Sequence, residues 1–292
     1  MMTAATPSSS PLKGIACMIL GGAIITLNDA VMKMMTAGYP IGEILFIRGV
    51  FVIIPITLLA WRLGGVSQLK VRSIRTQAIR AALTVLSTFL FITSLRYLHL
   101  ADAVAITFTG PLFLTALATP VLGERVGWRR WAAVGIGFIG VLVMTRPGGE
   151  AAQWAAVMPL GAALSSASRD MLTRRMTITE TSVSMTCVSA LAVTIAGLAT
   201  LPLGWRLPDP GDVWMLAGAA LFLGLGQFLL IEAFRFGEAV VVAPFKYTNL
   251  LWGMLFGFLI WAHLPDRWTT LGAILVIGSG LYIFHRETLR RS

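Results

Sequence analysis

Apolar runs of similar length recur along the chain, separated by short polar connections. A helix needs about 20 apolar residues to cross the hydrocarbon core of a membrane, and ten runs of this chain fall close to that length. The alternating pattern of membrane β-strands is absent from the sequence. The pattern predicts ten transmembrane helices, at Gly14–Met32, Ile41–Trp61, Ala78–Tyr97, Ala101–Leu122, Trp128–Thr145, Ala152–Met171, Thr181–Leu203, Val213–Phe234, Ala239–Ala262 and Trp268–Phe284.

Composition agrees with an all-α membrane protein. Of the 292 residues, 57% are hydrophobic and 12% are charged, with a mean hydropathy of +0.81, which is more apolar sequence than a soluble fold needs. Residues 1–12 are polar and rich in Ser and Pro, which predicts a disordered tip, and the run that follows is too long for a cleaved signal peptide. Cys17 and Cys187 fall within apolar runs, so no disulfide framework is expected.

The net charge of +10 is spread over the short connections and does not form a nucleic-acid-binding patch. Basic loop residues accumulate on the cytoplasmic side of membrane proteins. With the N-terminus placed inside, the loops on that side hold nearly all of the excess Lys and Arg. We therefore predict two cytoplasmic termini, an inner-membrane location and no nucleic-acid partner.

A weak internal repeat divides the chain near Gly148–Glu150. One shift along the chain, without a gap, superposes Phe89, Arg96, Thr109, Leu112 and Leu142 on Phe228, Arg235, Thr248, Leu251 and Leu281, and Phe108 on Tyr247. Each half holds five spans, an odd number, so the second half enters the membrane from the opposite side. Such inverted repeats, here residues 13–147 and 150–292, are typical of transporters with a site between the halves near the midplane.

The order and spacing of two segments resemble the EamA family of the drug/metabolite transporter superfamily. They are SLRYLHLADAVAITFTGPLFLTALATPVLGERVGWRRWAAVGIGFIGVLV and its weaker echo AFRFGEAVVVAPFKYTNLLWGMLFGFLIWAHLPDRWTTLGAILVIGSGLYI. The resemblance implies a ten-helix secondary carrier, most similar to bacterial aromatic amino-acid exporters, with a cavity lined by the first, third, fourth, sixth, eighth and ninth spans. The chain departs from the family pattern where His263 replaces the acidic residue expected before the last span, the position that Glu124 occupies in the first half.

Lys246 is a charge inside an apolar run, where it must be paired, hydrated or used. One interpretation is an ion pair with Glu232 on the preceding span. The other is that Lys246 binds an anionic group of the substrate, with Tyr247 and Asn249 as neighbouring hydrogen-bond donors. The sequence leaves both open.

Asp29 and Arg48 are predicted at similar depth in the hairpin of the first two spans. A structural ion pair is the favoured interpretation, because each charge offsets the cost of the other in the membrane. The alternative is a carboxylate that couples proton entry to substrate movement.

Several uncharged polar residues are candidates for lining the cavity. Thr107 and Thr109 are the repeat counterparts of Lys246 and Thr248, although threonine in membrane helices commonly bonds to its own backbone. Pro111 and Pro244 each remove a backbone hydrogen bond and predict local kinks. Further candidates are Gln227, Ser165 and Ser168.

The sequence contains no recognisable catalytic or cofactor motif. Gly135, Gly137 and Gly140 match a dinucleotide fingerprint but lie in an apolar span, so close helix contact is the better interpretation. His99, His263 and His285 lie at span ends, far apart in sequence and without metal-ligand spacing. We therefore expect neither an enzyme nor a resident metal or cofactor.

The functional prediction is a secondary carrier that works by alternating access and exports a small molecule, namely an aromatic or neutral amino acid. Its partners are the substrate, the lipid bilayer and either a proton or an exchanged solute. A nucleotide-sugar or broad drug/metabolite carrier is the nearest alternative, and a passive channel is a further one.

Overall fold

The computed structural model describes residues 11–63, 65, 69–122, 128–145, 151–176, 180–236 and 243–289 of the chain, and their regular structure is helical throughout. The helices are α1 (Pro11–Thr36), α2 (Ile41–Leu63), α3 (Ile74–Tyr97), α4 (Leu100–Thr107), α5 (Gly110–Leu122), α6 (Trp128–Thr145), α7 (Val157–Met176), α8 (Ser182–Leu198), α9 (Pro210–Phe236), α10 (Thr248–Trp261) and α11 (Arg267–Leu289), with 3-10 segments at Ala151–Ala156, Leu201–Leu203 and Ala243–Tyr247.

Six stretches among the described residues are long and apolar enough to cross a membrane. They are Leu12–Thr36, Ile41–Leu58, Ile74–Tyr97, Leu100–Leu117, Val183–Leu203 and Pro210–Leu230. The ten-span count stays a prediction. Of the predicted tip, only Pro11 and Leu12 belong to the described residues, and both begin α1. The predicted boundary at Gly148–Glu150 and the acidic residue Glu124 lie outside them.

The fourth and ninth predicted spans are interrupted at matching positions. Between α4 and α5, the backbone N–H groups of Phe108 and Thr109 donate to carbonyls three residues back, at 3.2 and 3.1 Å. This tighter 3-10 geometry is expected beside Pro111, which has no N–H to continue the α-helical pattern. In the ninth span, Pro244 belongs to the 3-10 segment that precedes α10. The interruptions therefore lie where the two prolines predict kinks.

Helix packing connects the two predicted halves. The most extensive pairings are α1 with α9, α6 with α11, α3 with α7 and α2 with α8, and α10 packs on α1 and α4. The short helix α4 is buried on nearly every side, as a helix that is apolar all round requires, and its residues Leu100, Ala103, Val104, Ala105 and Ile106 belong to the main core. This core holds the interrupted segments in the centre of the bundle.

Glycines bring α6 and α11 close together. A Cβ atom on Gly140 would lie 2.8 Å from the carbonyl oxygen of Gly272, and one on Gly137 would lie 2.6 Å from Ser279 Oγ. Gly135, in contrast, faces open space. The prediction of close helix contact is therefore confirmed for Gly137 and Gly140 and wrong for Gly135.

Gly272→Ala is expected to destabilise the protein by about 1–3 kcal/mol, because its new methyl group meets the backbone of α6 and overpacking has this cost. A Cβ atom there would lie 3.1 Å from Met144 N. Gly278→Ala on the same helix is the matched control. It meets open space and should be neutral or gain up to about 1 kcal/mol from helix propensity. Thermal unfolding in detergent measures both variants, and equal melting temperatures would contradict the packing argument.

Two buried glutamates each accept backbone hydrogen bonds from the other predicted half of the chain. Glu180, which is 6% exposed, accepts hydrogen bonds from the backbone N–H groups of Arg72 at 2.9 Å and Ser73 at 2.8 Å, just before α3. Glu43, next to the start of α2, accepts one from the N–H of Arg206 at 3.1 Å, ahead of α9. Orphan N–H groups at a helix start favour such a carboxylate.

Glu180→Gln is expected to lower the melting temperature at neutral pH. Burial alone raises the pKa of Glu180, but the donors on Ser73, Arg72 and Gln77 outweigh it and hold the pKa below its ordinary value of 4.5. The ionised group therefore stabilises the fold above pH 4.5 and loses this effect as the pH falls further, through its folded-state pKa.

The expected loss at neutral pH is about 1.5–3 kcal/mol, as for hydrogen bonds to a charged group. Thermal unfolding across this pH range should show the variant and the wild type converging on the acid side. Asp170→Asn is the control, since Asp170 is exposed and pairs with its neighbour Arg169 at 2.9 Å, an arrangement worth little. A difference in melting temperature between Glu180→Gln and the wild type that persists at all pH values would contradict a contribution from the ionised carboxylate.

Candidate functional site

An aromatic pair lies where the two interrupted spans meet. The rings of Phe108 and Tyr247 have centroids 5.1 Å apart at an interplanar angle of 37°. Phe108 is the C-cap of α4 and Tyr247 is the N-cap of α10, so each ring lies at a helix end. Because they are also counterparts in the internal repeat, the two interruptions face each other across the core.

Two buried polar atoms lie one turn apart on α10, on residues two and five positions after Tyr247. Asn249 packs its Oδ1 atom against Gly22 of α1 so closely that a Cβ atom on that glycine would collide with it. The Trp252 ring stacks on Phe256, with centroids 6.0 Å apart. Asn249 Oδ1 and Trp252 Nε1 are both buried and have no hydrogen-bond partner among the described residues. An acceptor and a donor are thus available on one helix face, where unpaired polar atoms are rare.

The predicted threonine and serine candidates mostly bond to their own helices. Thr107 Oγ1 donates to Val104 at 2.6 Å, and Thr109 Oγ1 donates to Ile106 at 2.8 Å. Ser168 Oγ donates to Leu164 at 2.9 Å. Their hydroxyl protons are therefore engaged with the backbone. Of the other two candidates, Ser165 is buried on α7 and Gln227 is exposed on α9.

Lys246 belongs to the 3-10 segment before α10, and its side chain is exposed, whereas Tyr247 and Asn249 beside it are half-buried. Glu232 is half-buried on α9. An ion pair between Lys246 and Glu232 and a role for Lys246 in binding an anion both stay predictions.

Asp29 and Arg48 lie close enough for their charges to interact across the interface of α1 and α2. Arg48 is 7% exposed, and Asp29 Oδ1 accepts a hydrogen bond from Asn28 Nδ2 at 2.9 Å. Among the described salt bridges there is none between the two side chains, so they interact across a longer distance. The structure therefore brings together the two charges that the sequence placed at similar depth.

A second polar cluster occupies the end of the bundle that the charge distribution predicts to be external. Lys33 Nζ donates to the carbonyl oxygens of Leu95 and Leu98, each at 2.6 Å. The same ammonium lies 5.5 Å from the centre of the Trp261 ring. Lys33 thus connects α1 to the end of α3 and to the end of α10.

Two histidines meet in this cluster. The rings of His99 and His263 stack with centroids 3.2 Å apart at 10°, and His99 Nδ1 lies 3.3 Å from Asp102 Oδ2. The fold therefore brings together two span-end histidines that lie far apart in sequence. A sequence signal existed, because His263 is the position at which this chain departs from the acidic family pattern.

Local backbone geometry directs His263 towards His99. Helix α10 ends at Trp261, and the C-cap residue Ala262 has a left-handed φ of 53°. The N–H of Ala262 donates to the carbonyl of Phe258 at 2.8 Å. Burial and the nearby charges of His99 and Lys33 lower the pKa of His263 below 6.5, against the opposite effect of Asp102. Its imidazole is accordingly neutral at pH 7.

An apolar groove of about 810 Å³ lies between α3 and α8. Its wall includes Ala78, Val85, Leu86, Leu191 and Ile195. Binding sites for metabolites need placed polar groups in addition to apolar walls, and this groove contains none of the candidate residues. The groups around Phe108 and Tyr247 are therefore the better candidate for a substrate site.

Interrupted helices that meet in the middle of a helical bundle, with buried polar atoms beside them, are features of membrane transport proteins. A family model described as the EamA-like transporter family matches residues 12–146 and 153–284. The chain belongs to this family, which confirms the resemblance, and it is a membrane transporter.

Characterised relatives cover almost the whole chain. A riboflavin transporter of Vibrio cholerae is 26% identical over 95% of this chain and 95% of its own length. An S-adenosylmethionine uptake transporter of Rickettsia conorii is 26% identical over 94% of each chain, and a pseudopaline exporter of Pseudomonas aeruginosa is 24% identical over 90% and 93%. A solved crystal structure shares the fold, with a TM-score of 0.65 and 16% identity over 97% of this chain and 99% of that one.

Proposed function

We propose that this transporter is a secondary carrier of a small metabolite that contains a planar heteroaromatic ring. The observation that carries the proposal is that a buried acceptor, Asn249 Oδ1, and a buried donor, Trp252 Nε1, lie on α10 without a partner among the described residues. This helix begins directly after Tyr247 of the Phe108–Tyr247 ring pair. A flat ring with both donor and acceptor atoms would satisfy the two polar atoms and contact the aromatic faces.

The relatives support this class of substrate. Riboflavin and S-adenosylmethionine, which appear in the names of two relatives, both contain a nitrogen-rich ring system with donor and acceptor atoms. None of the three relatives described above is named for an aromatic amino acid. Of the aromatic amino acids, which the sequence predicted as substrates, tryptophan contains a heteroaromatic ring and belongs to the proposed class.

Alternating access between two inverted halves is the proposed mechanism. Its support is the helix packing, in which α1 packs on α9 and α3 packs on α7. Because α1 corresponds to α7 and α3 to α9 in the predicted repeat, exchange of the two halves would convert one pair into the other. The interruptions at counterpart positions give each half one redirected helix at the centre. The contacts of Lys33 with Trp261 and of His99 with His263 close the predicted external end.

Counterflow in proteoliposomes tests the proposal. Vesicles loaded with unlabelled riboflavin, S-adenosylmethionine, tryptophan, leucine or a nucleotide sugar are offered the same compound in labelled form. We expect saturable accumulation with at least one heteroaromatic compound and none with leucine. Uptake that never saturates and does not depend on internal solute would indicate a channel, and accumulation of leucine with none of the heteroaromatic compounds would refute the proposed class.

A second candidate, aromatic amino-acid export, is favoured by the position of Lys246 directly before Tyr247. A cation beside an aromatic pair suits a carboxylate attached to a ring. In the same vesicles, this candidate requires tryptophan counterflow that is weakened in Lys246→Met. Intact tryptophan counterflow in that variant would exclude the assigned role of Lys246.

A further inference from the structure

We propose that His99, Asp102 and His263 form a binding site for a divalent transition-metal ion of the Zn²⁺ type. One potential ligand atom from each of the three side chains lies within 4.8 Å of the others. Two imidazoles and one carboxylate are a ligand set that suits zinc, with a fourth position left for solvent or a second oxygen. The site is separate from the Phe108–Tyr247 pair, and no group assigned to substrate binding belongs to it.

The three residues come from different parts of the fold. His99 and Asp102 lie three residues apart at the start of α4, so that they share one helix face. His263 is presented by the left-handed turn at Ala262, after α10. Asp102 Oδ1 is buried and has no hydrogen-bond partner among the described residues. The carboxylate therefore has a buried oxygen available to a cation.

Small side-chain rotations bring the ligands to coordination distances. Zinc binds nitrogen and oxygen at about 2.0–2.2 Å, which places tetrahedral ligands roughly 3.4 Å apart. The 3.3 Å between His99 Nδ1 and Asp102 Oδ2 already meets this spacing. The stacked rings direct their lone pairs in parallel, so one ring must turn about its side-chain bonds. His99 can do so, because its side chain is 53% exposed.

Lys33 is the cation that opposes metal binding. Its charge acts on both Asp102 and His263, which weakens the attraction of a metal ion. Its ammonium nevertheless donates to the carbonyls of Leu95 and Leu98 at 2.6 Å and leaves the Asp102 carboxylate without a direct salt bridge to it in the described structure. The site thus retains a carboxylate for an incoming ion.

A metal ion here would connect α4, in the first half, to the turn after α10, in the second half. Such a bridge would hold the predicted external end closed, so external Zn²⁺ would inhibit transport. This consequence rests on the proposed function, whereas binding of the ion does not. The two are therefore measured separately.

Isothermal titration of the purified full-length chain with Zn²⁺ tests the site directly. We expect one equivalent to bind, with affinity at least tenfold weaker in His99→Gln, Asp102→Asn and His263→Gln. His285→Gln, which removes the third histidine of the sequence, is the matched control and should bind as the wild type does. His99→Gln remains a fair test if the His263 variant fails to fold, because the His99 side chain is largely exposed.

Three results would overturn the site: no stoichiometric Zn²⁺ binding to the wild type, unchanged binding in His99→Gln, or loss of binding in His285→Gln. Counterflow with external Zn²⁺ is then measured on the wild type and His263→Gln. Inhibition of the wild type alone supports closure of the external end. Binding by titration without any inhibition would leave the metal site in place and refute its effect on transport.

Discussion

Arg48→Met should destabilise the protein by about 3–5 kcal/mol, the usual cost of removing one partner from a buried charge pair. Arg48 is almost fully buried, and its charge acts on Asp29 across α1 and α2. Without it, the hydrogen bond from Asn28 is what the carboxylate of Asp29 keeps among the described residues. Thermal or denaturant unfolding of the purified variant in detergent measures the loss.

The double variant Asp29→Asn with Arg48→Met separates charge compensation from packing. If the two charges stabilise each other, the double variant should lose less unfolding free energy than the two single variants lose together. Arg169→Met is the control, because Arg169 pairs with the adjacent, exposed Asp170 and should cost little. Strictly additive losses of unfolding free energy would refute a stabilising interaction between Asp29 and Arg48.

The same variants address proton coupling. If Asp29 carries the coupling proton, counterflow in Asp29→Asn should lose the pH dependence of the wild type while retaining exchange. If the pair is purely structural, a folded Asp29→Asn variant should show the same pH dependence as the wild type. The pH profile therefore separates two roles that the sequence left open.

Asn249→Leu should reduce counterflow at least tenfold without lowering stability. Leucine has nearly the shape of asparagine but removes the buried Oδ1 acceptor, and a contact to a substrate donor is worth about 1.5 kcal/mol or more. Because Oδ1 has no partner among the described residues, its removal should leave the melting temperature equal or higher. This combination of lower transport and retained stability distinguishes a binding role from a structural one.

Trp252→Phe is the companion test, since it removes Nε1 and preserves an aromatic ring beside Phe256. We expect a similar loss of counterflow. Trp214→Phe is the control, because Trp214 is 73% exposed near the start of α9 and should leave transport unchanged. Full counterflow in both Asn249→Leu and Trp252→Phe would place the substrate elsewhere and refute the site.

Periodicity predicted the helices well because hydrophobic length is a local property. The predicted span Trp128–Thr145 coincides with α6, and Ile41–Trp61 differs from α2 only at its C-terminal end. The kink positions also follow from local chemistry, since a proline lacks the N–H group wherever it lies. The interaction of Asp29 with Arg48 was predictable because a tight hairpin relates depth in one helix to depth in the next.

The sequence by itself thus determined a helical membrane protein of a known transporter family, the approximate helix bounds, the weak repeat and the positions of the interruptions. Only the tertiary structure decided which polar atoms are buried without a partner on α10, that Lys246 is exposed, and that His99 meets His263 across the two halves. Burial and side-chain contacts depend on how helices distant in sequence pack. No periodicity within one helix contains that information.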